Sequence, residues 1–267
     1  MKTVYPKKHL GQHFLIDNNI AERICNSLSE ENKNIIEIGP GKGILTKFML
    51  PKEINFKAID IDKESIEYLQ EQYPEYKDRF ILGDFLKMDL NEMFGLGSPV
   101  SESESETDIP SLQFQLLGNF PYNISSQILF KVLDYKDNID CVVGMFQKEV
   151  AQRIISPPGN KSYGILSVLI QAWYDCEYLF TVNEGSFFPA PKVKSGVIRL
   201  KRNSNTDLGV DEKLFKNVVK TAFNQRRKTL HNSLKPFRFT EETEIMQKRP
   251  EQLSYLEFVE ITKKVIV

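Results

Sequence analysis

IIEIGPGKGILTKFML, residues 35–50, begins as a strand and ends as a helix. The apolar run Asn34–Ile38 stops at Gly39, Gly41 and Gly43, spaced by two residues, and a helical pattern follows. Glycines at such a junction permit left-handed backbone and let a ligand approach the main chain closely. A strand-to-helix turn without any ligand would also need them, so the neighbouring segments must decide.

Similar apolar runs recur at Phe56–Ile59, Arg79–Leu82, Phe114–Leu117 and Cys141–Phe146, with helix-like patterns between most of them. That alternation predicts an α/β fold with a mostly parallel sheet and helices on both faces. Asp60 closes the second strand, twenty-one residues after Gly39, where a carboxylate can accept from ribose hydroxyls. Asp62 is expected to cap the next helix, and Asp84 follows the third strand at the same carboxyl edge. Gly, Asp and Asp thus converge on one crevice, as in a nucleoside site. Asp17–Leu28 reads as an amphipathic helix with Asp17 as N-cap. Beyond the strand candidates Cys176–Val182 and Lys194–Lys201, the pattern from Asp211 onward is mainly helical. A large domain over 1–204 and a small all-α domain over 205–267 are therefore expected. Gly95–Pro110 alternates Ser and Glu, the composition of a mobile surface loop with no chemistry of its own.

The chain has 267 residues, 41% of them apolar, enough for a sizeable core. Net charge is -1, yet residues 201–240 hold ten Lys or Arg against three acids, an excess of seven, and Lys2, Lys7 and Lys8 gather near the N-terminus. Basic ends suit a polyanionic partner; a solvated helix face is the alternative. Cys25, Cys141 and Cys176 are scattered, with neither disulfide nor zinc spacing. With no apolar run near eighteen residues and no signal-like segment, a soluble cytoplasmic protein is expected, with no membrane association.

LGNFPYN, residues 117–123, ends the fourth core strand and so brings Asn119 to the crevice. An adenine amine is a weak nucleophile because its lone pair is delocalised into the ring. Acceptors aimed at its two N–H bonds favour a tetrahedral nitrogen over the planar ground state. Asn119 offers a side-chain oxygen, Phe120 a carbonyl, Pro121 a fixed turn, and Tyr122 a ring for an unstacked base. The other reading is a strand-ending turn whose rings simply pack in the core.

The spacing E-x-G-x-G-x-G at 37–43 resembles the first motif of class I S-adenosylmethionine-dependent methyltransferases, and lacks the last glycine of a dinucleotide fingerprint because Ile44 stands there. With N-F-P-Y the chain resembles the ribosomal RNA adenine dimethyltransferase family nearly end to end: HLGQHFLID (9–17), EIGPGKGILT (37–46), LGNFPYNISSQ (117–127), QKEVAQRI (147–154), YGILSVLIQ (163–171), FFPAPKVKSGVIRL (187–200) and AFNQRRKTLHNSL (222–234). The last three point to its small-subunit branch. The resemblance implies S-adenosylmethionine as donor, no metal, and dimethylation of two adjacent adenosines in the 3′-terminal hairpin of small-subunit rRNA, free or in a pre-30S particle, by a monomer. It implies His13, Leu15, Glu37, Gly39, Gly41, Asp60, Asp84 and Asn119 at the donor, with His13 in place of the family's usual Asn. It implies Asn119, Phe120, Pro121, Tyr122 and Phe187 at the target base, Phe187 sandwiching that base against Tyr122 while Phe188 shapes the loop. Gln225 with Arg226, Arg227 and Lys228 would face RNA, with Lys148 and Arg153 as weaker contacts. Alternatives are an assembly or transcription factor built on the same scaffold, and a large-subunit rRNA methyltransferase giving macrolide resistance.

Overall fold

The computed structural model describes residues 4–90, 92, 113–241 and 243–266. The Ser/Glu stretch at 95–110 lies outside the described residues. In chain order the elements are β1 (Phe14–Leu15), α1 (Asn18–Cys25), β2 (Asn34–Ile38), α2 (Thr46–Met49), β3 (Asn55–Asp60), α3 (Lys63–Gln72), β4 (Phe80–Leu82), β5 (Phe114–Asn119), α4 (Ser125–Asp134) and β6 (Ile139–Gln147). There follow α5 (Lys148–Ile155), α6 (Ile165–Gln171), β7 (Tyr174–Val182), β8 (Phe187–Phe188), β9 (Ser195–Arg202), α7 (Glu212–Asn224), α8 (Leu230–Ser233) and α9 (Tyr255–Lys263).

The chain forms two compact units, one of residues 1–148 with 179–201 and one of 149–178 with 202–267. A single boundary near 205 is thus not how the chain divides: the stretch after β6 leaves the first unit, packs with the C-terminal helices, and returns within β7.

Among the described residues the main sheet has the order β4-β3-β2-β5-β6-β9-β7. Strands β4, β3, β2, β5 and β6 are parallel, and β9 runs antiparallel to β6. Being covered on both faces, β2 and β5 are buried almost without alternation, which is why their sequences read as continuous apolar runs. The chain proceeds from β2 to β3 and β4 on one side and to β5 and β6 on the other. The order therefore reverses between β2 and β5, the place where open α/β sheets bind ligands.

Local chemistry explains the helix starts. Asp17 caps α1 by accepting from the Asn19 and Ile20 N–H groups, and Asp62 caps α3 by accepting from Glu64 N–H. In the second unit Asp211 accepts from Leu214 N–H at α7, and Ser254 and Glu257 form a reciprocal capping box at α9. There α7 packs on α6, α8 and α9, around Tyr163, Phe215, Val218 and Phe258.

One packing detail shapes the site. Gly118 on β5 pairs with Gly144 on β6, and together they leave a slot for the ring of Phe120, which is 1% exposed. A Cβ at position 144 would lie 2.2 Å from Phe120 Cε2, and one at 118 would lie 2.6 Å from Cε1. Gly144→Ala is accordingly expected to lose about 1–3 kcal/mol of stability in urea unfolding, with the Phe120 ring displaced; an unchanged midpoint would mean that the slot has room to spare.

Candidate active site

The cavity at the switch point is lined by the N-terminal segment Leu10–Phe14, by Gly39 and Gly41, by Ile59–Ile61, by Gly83–Leu86 and by Asn119–Ile124. Parallel pairing of β2 with β5, Glu37 opposite Leu117, brings the glycine loop and the N-F-P-Y turn out of neighbouring strands at one edge.

The loop needs its glycines. Gly39 has φ +68° and Gly41 φ +54°, left-handed conformations that other residues adopt at a cost. A Cβ at Gly41 would strike the Phe14 ring at 2.8 Å, whereas one at Gly39 would meet nothing nearer than Pro121 Cδ at 4.0 Å. Gly39 therefore presents bare backbone to the cavity.

Asp60 is 6% exposed. Its carboxylate accepts from Gly41 N–H at 3.2 Å and from Asp62 N–H at 2.9 Å, so it braces the glycine loop and retains acceptor capacity toward the cavity. Burial pushes its carboxyl up to about 6, against the pull of those two N–H groups. Asp84, beyond the end of the neighbouring strand β4, also lines the cavity; its oxygens accept from Leu86 N–H at 3.1 Å and meet exposed Lys87 at 3.4 Å. Asp62 points elsewhere, to Lys7 Nζ at 2.6 Å, Gln12 and Ser65. Burial alone would raise its carboxyl, yet these donors hold it below the usual range.

Asn119 ends β5, and its side-chain N–H donates to the His13 carbonyl at 2.8 Å. Spending the nitrogen there leaves Oδ1 as the free end of the carboxamide. Residue 13 thus acts on Asn119 through its backbone, so a histidine can stand there. Its imidazole does separate work: Nδ1 lies 2.7 Å from the Pro189 carbonyl, and the ring stacks on Tyr122 with centroids 5.7 Å apart. Tyr122 is fixed again at its hydroxyl, 2.6 Å from Ser195 Oγ on β9. Among the described residues none donates to the Phe120 carbonyl.

Three expected site residues are placed otherwise. Glu37, 1% exposed, does not line the cavity; it accepts from Thr46 Oγ1 on α2 at 2.6 Å and ties the strand to the helix beneath the loop. Leu15 and Phe187 are cross-strand partners in the β1–β8 ribbon, and both side chains belong to the apolar core. Phe187 is 3% exposed, whereas Phe188 is 57% exposed, the reverse of the expected division. In the second unit Gln225–Lys228 form the turn after α7 rather than part of a helix. Arg226 is engaged there with the Lys161 carbonyl and Glu251, while Arg227 and Lys228 stand at the surface of that turn. Arg153 pairs with Glu149 at 2.9 Å. Sequence reasoning missed Ser195 and the His13 carbonyl, because neither a lone serine on an apolar strand nor a main-chain oxygen leaves a pattern.

The parallel sheet, glycine loop and strand-end acids define a class I methyltransferase fold, whose members take a methyl group from S-adenosylmethionine. The model of the family described as ribosomal RNA adenine dimethylase matches residues 5–264, and the chain belongs to that family. Curated relatives named ribosomal RNA small subunit methyltransferase A include those of Parabacteroides distasonis, 53% identical over 98% of this chain and 94% of the relative, and Flavobacterium johnsoniae, 51% identical over 99% and 97%. Among solved structures, a dimethyladenosine transferase from Plasmodium falciparum aligns with TM-score 0.72 at 22% identity over 95% of this chain and 99% of that one. The 23S rRNA methyltransferase ErmE aligns with TM-score 0.65 at 21% identity over 94% and 100%. Identities this low bear on the fold alone. No group of three His, Cys, Asp or Glu residues among those described could hold a metal ion, and no helix among them is long and apolar enough to cross a membrane.

Burial pushes the Glu37 carboxyl up to about 8, the Asp60 charge adding to the rise and the Thr46 hydrogen bond opposing it. An unfolded chain releases this proton near pH 4.5, so Glu37 favours the fold fully below that pH and progressively less as pH climbs through about 8. Glu37→Gln is expected to flatten the fall of Tm between about pH 5 and 8; a variant profile parallel to wild type would place the slope in another group.

Proposed function

We propose that the chain transfers methyl groups from S-adenosylmethionine to the exocyclic amines of two adjacent adenosines in small-subunit rRNA, converting each to dimethyladenosine. The observation that carries this reading is the Asn119 carboxamide, its nitrogen occupied by the His13 carbonyl and its oxygen left at the edge of a nucleoside cavity. The residues present fit the donor. Gly39 would offer bare backbone while Gly41 makes room for Phe14, Asp60 has acceptor capacity for ribose hydroxyls, and Asp84, at the same cavity, would accept from the donor's adenine amine. When bound there, S-adenosylmethionine supplies a methyl carbon made electrophilic by a cationic sulfur.

The protein's part is to prepare the nucleophile. Asn119 Oδ1 and the Phe120 carbonyl accept from the target amine's two N–H groups, which pulls nitrogen density out of the ring and toward the tetrahedral geometry of transfer. Pro121 fixes the turn that aims both acceptors. Tyr122, locked at its hydroxyl by Ser195, offers a ring of set orientation for the extruded base. Once the methylated nitrogen has released a proton to solvent one N–H remains, and either acceptor can hold it for the second transfer. The substrate is the rRNA hairpin, free or within a pre-30S particle, and the chain acts as a monomer in the cytoplasm, where ribosomes are made. In the second unit Arg227 and Lys228 contact RNA phosphate, while Arg226 holds the turn.

Asn119→Ala is expected to lower methyl transfer to unmethylated small-subunit particles by about 10²-fold or more, with donor affinity measured by calorimetry nearly unchanged; wild-type turnover in that variant would remove the assigned role. Replacing Arg227 and Lys228 by Ala is expected to reduce the salt slope of RNA binding by about 0.7–0.9 for each phosphate no longer neutralised, whereas Arg226→Ala lowers Tm; an unaltered slope in the double variant would move the phosphate-binding surface elsewhere.

A further inference from the structure

The β1–β8 ribbon has two faces. Cross-strand partners in an antiparallel ladder project to the same side, and successive residues to opposite sides. Leu15 and Phe187 are one such pair and face the core. Phe14 and Phe188 are the other pair, and Phe14 lines the cavity. Phe188 therefore stands on the cavity side of the ribbon. It is not among the lining residues and is 57% exposed, so its ring faces solvent on that side rather than the cavity interior.

What joins Phe188 to the site is continuous. Its neighbour Pro189 meets His13 Nδ1 through its carbonyl, and the His13 ring stacks on Tyr122. The loop FFPAPKVK, 187–194, also carries Lys192 and Lys194, both exposed, and no acid. An exposed aromatic followed within six residues by two exposed cations has the chemistry of a single-stranded nucleic acid platform, where rings stack on bases and lysines follow the phosphates. A buried protein interface would not favour two lysines beside the ring.

We propose that Phe188 stacks on the RNA base next to the one held at Tyr122, with Lys192 and Lys194 beside the phosphates of that strand. The inference rests on the proposed rRNA methylation. It adds that the enzyme grips two consecutive nucleotides, one in the cavity and one outside it, which suits a substrate whose two targets are adjacent.

The test is steady-state methylation of unmethylated small-subunit particles by wild type, Phe188→Ala, Phe188→Leu and Phe188→Trp, with donor affinity and Tm measured in parallel. Loss of a stacked base is expected to raise the KM for particles roughly 5- to 100-fold in Phe188→Ala. Phe188→Leu should resemble Ala, because it keeps apolar bulk without a ring face, and Phe188→Trp should resemble wild type. Values of kcat, donor affinity and Tm should stay within about twofold, or a degree or two, of wild type. A KM in Phe188→Ala equal to wild type, or one in Phe188→Leu equal to wild type, would overturn the stacking role. A fall in kcat with unchanged KM would place Phe188 on the target base instead and overturn the neighbour assignment. No transfer by wild type would remove the underlying function and this inference with it.

Discussion

Parallel hydrogen bonding between β2 and β5 is the constraint on which the site depends. Side by side and in one direction, these strands must end at the same edge, one in a glycine loop and the other in Asn119. Neither motif has a function alone. Gly39 leaves bare backbone at the cavity, and on the proposed reading a nucleoside held there is what gives the adjoining carboxamide a second base to act on. The continuous burial of both strands makes that register costly to shift, since a slip would drive apolar side chains out of the covered faces.

The turn is rigid because each part of it is anchored by a different element. Asn119 is held by main chain from the N-terminal segment, Phe120 by two glycines on facing strands, and Tyr122 by a serine on β9. Such convergence is how a loop acquires the precision of a strand, with little reorganisation left for the moment of reaction. Asp60 is shared in a comparable way, with part of its acceptor capacity on the glycine loop and part facing the cavity.

Much of this is legible in the residues. Strands that are buried on both faces announce themselves as apolar runs, and the strands found at Asn34–Ile38, Asn55–Asp60 and Phe114–Asn119 match or slightly extend those runs. Asp17 and Asp62 cap helices as their positions suggest. What the residues conceal is direction. Glu37 and Asp60 are both acids at strand ends, yet one turns to Thr46 beneath the loop and the other toward the cavity. In Phe187–Phe188 both residues are aromatic, so nothing in composition tells which faces inward until β1 pairs with β8 and phases the alternation. Arg226 and Arg227 are equally ambiguous, because a guanidinium that holds a turn and one that meets a phosphate look alike in a sequence. The excursion of 149–178 into the second unit is also invisible locally, since its helices have ordinary amphipathic patterns.

The β1–β8 ribbon, of which Phe14 lines the cavity, brings together residues from opposite ends of the first unit: His13 and Pro189 are 176 positions apart. Chains emerge from the ribosome N-terminus first, and pairings between distant residues wait for both partners and carry the cost of closing the intervening loop. The parallel strands can pair while synthesis continues, but Phe14 has no partner strand, and His13 no Pro189, until most of the chain exists. During its own synthesis the parallel part of the sheet is thus available before the ribbon, and the two restraints on Tyr122, the His13 ring held at Pro189 and the Ser195 hydroxyl on β9, arrive together and late.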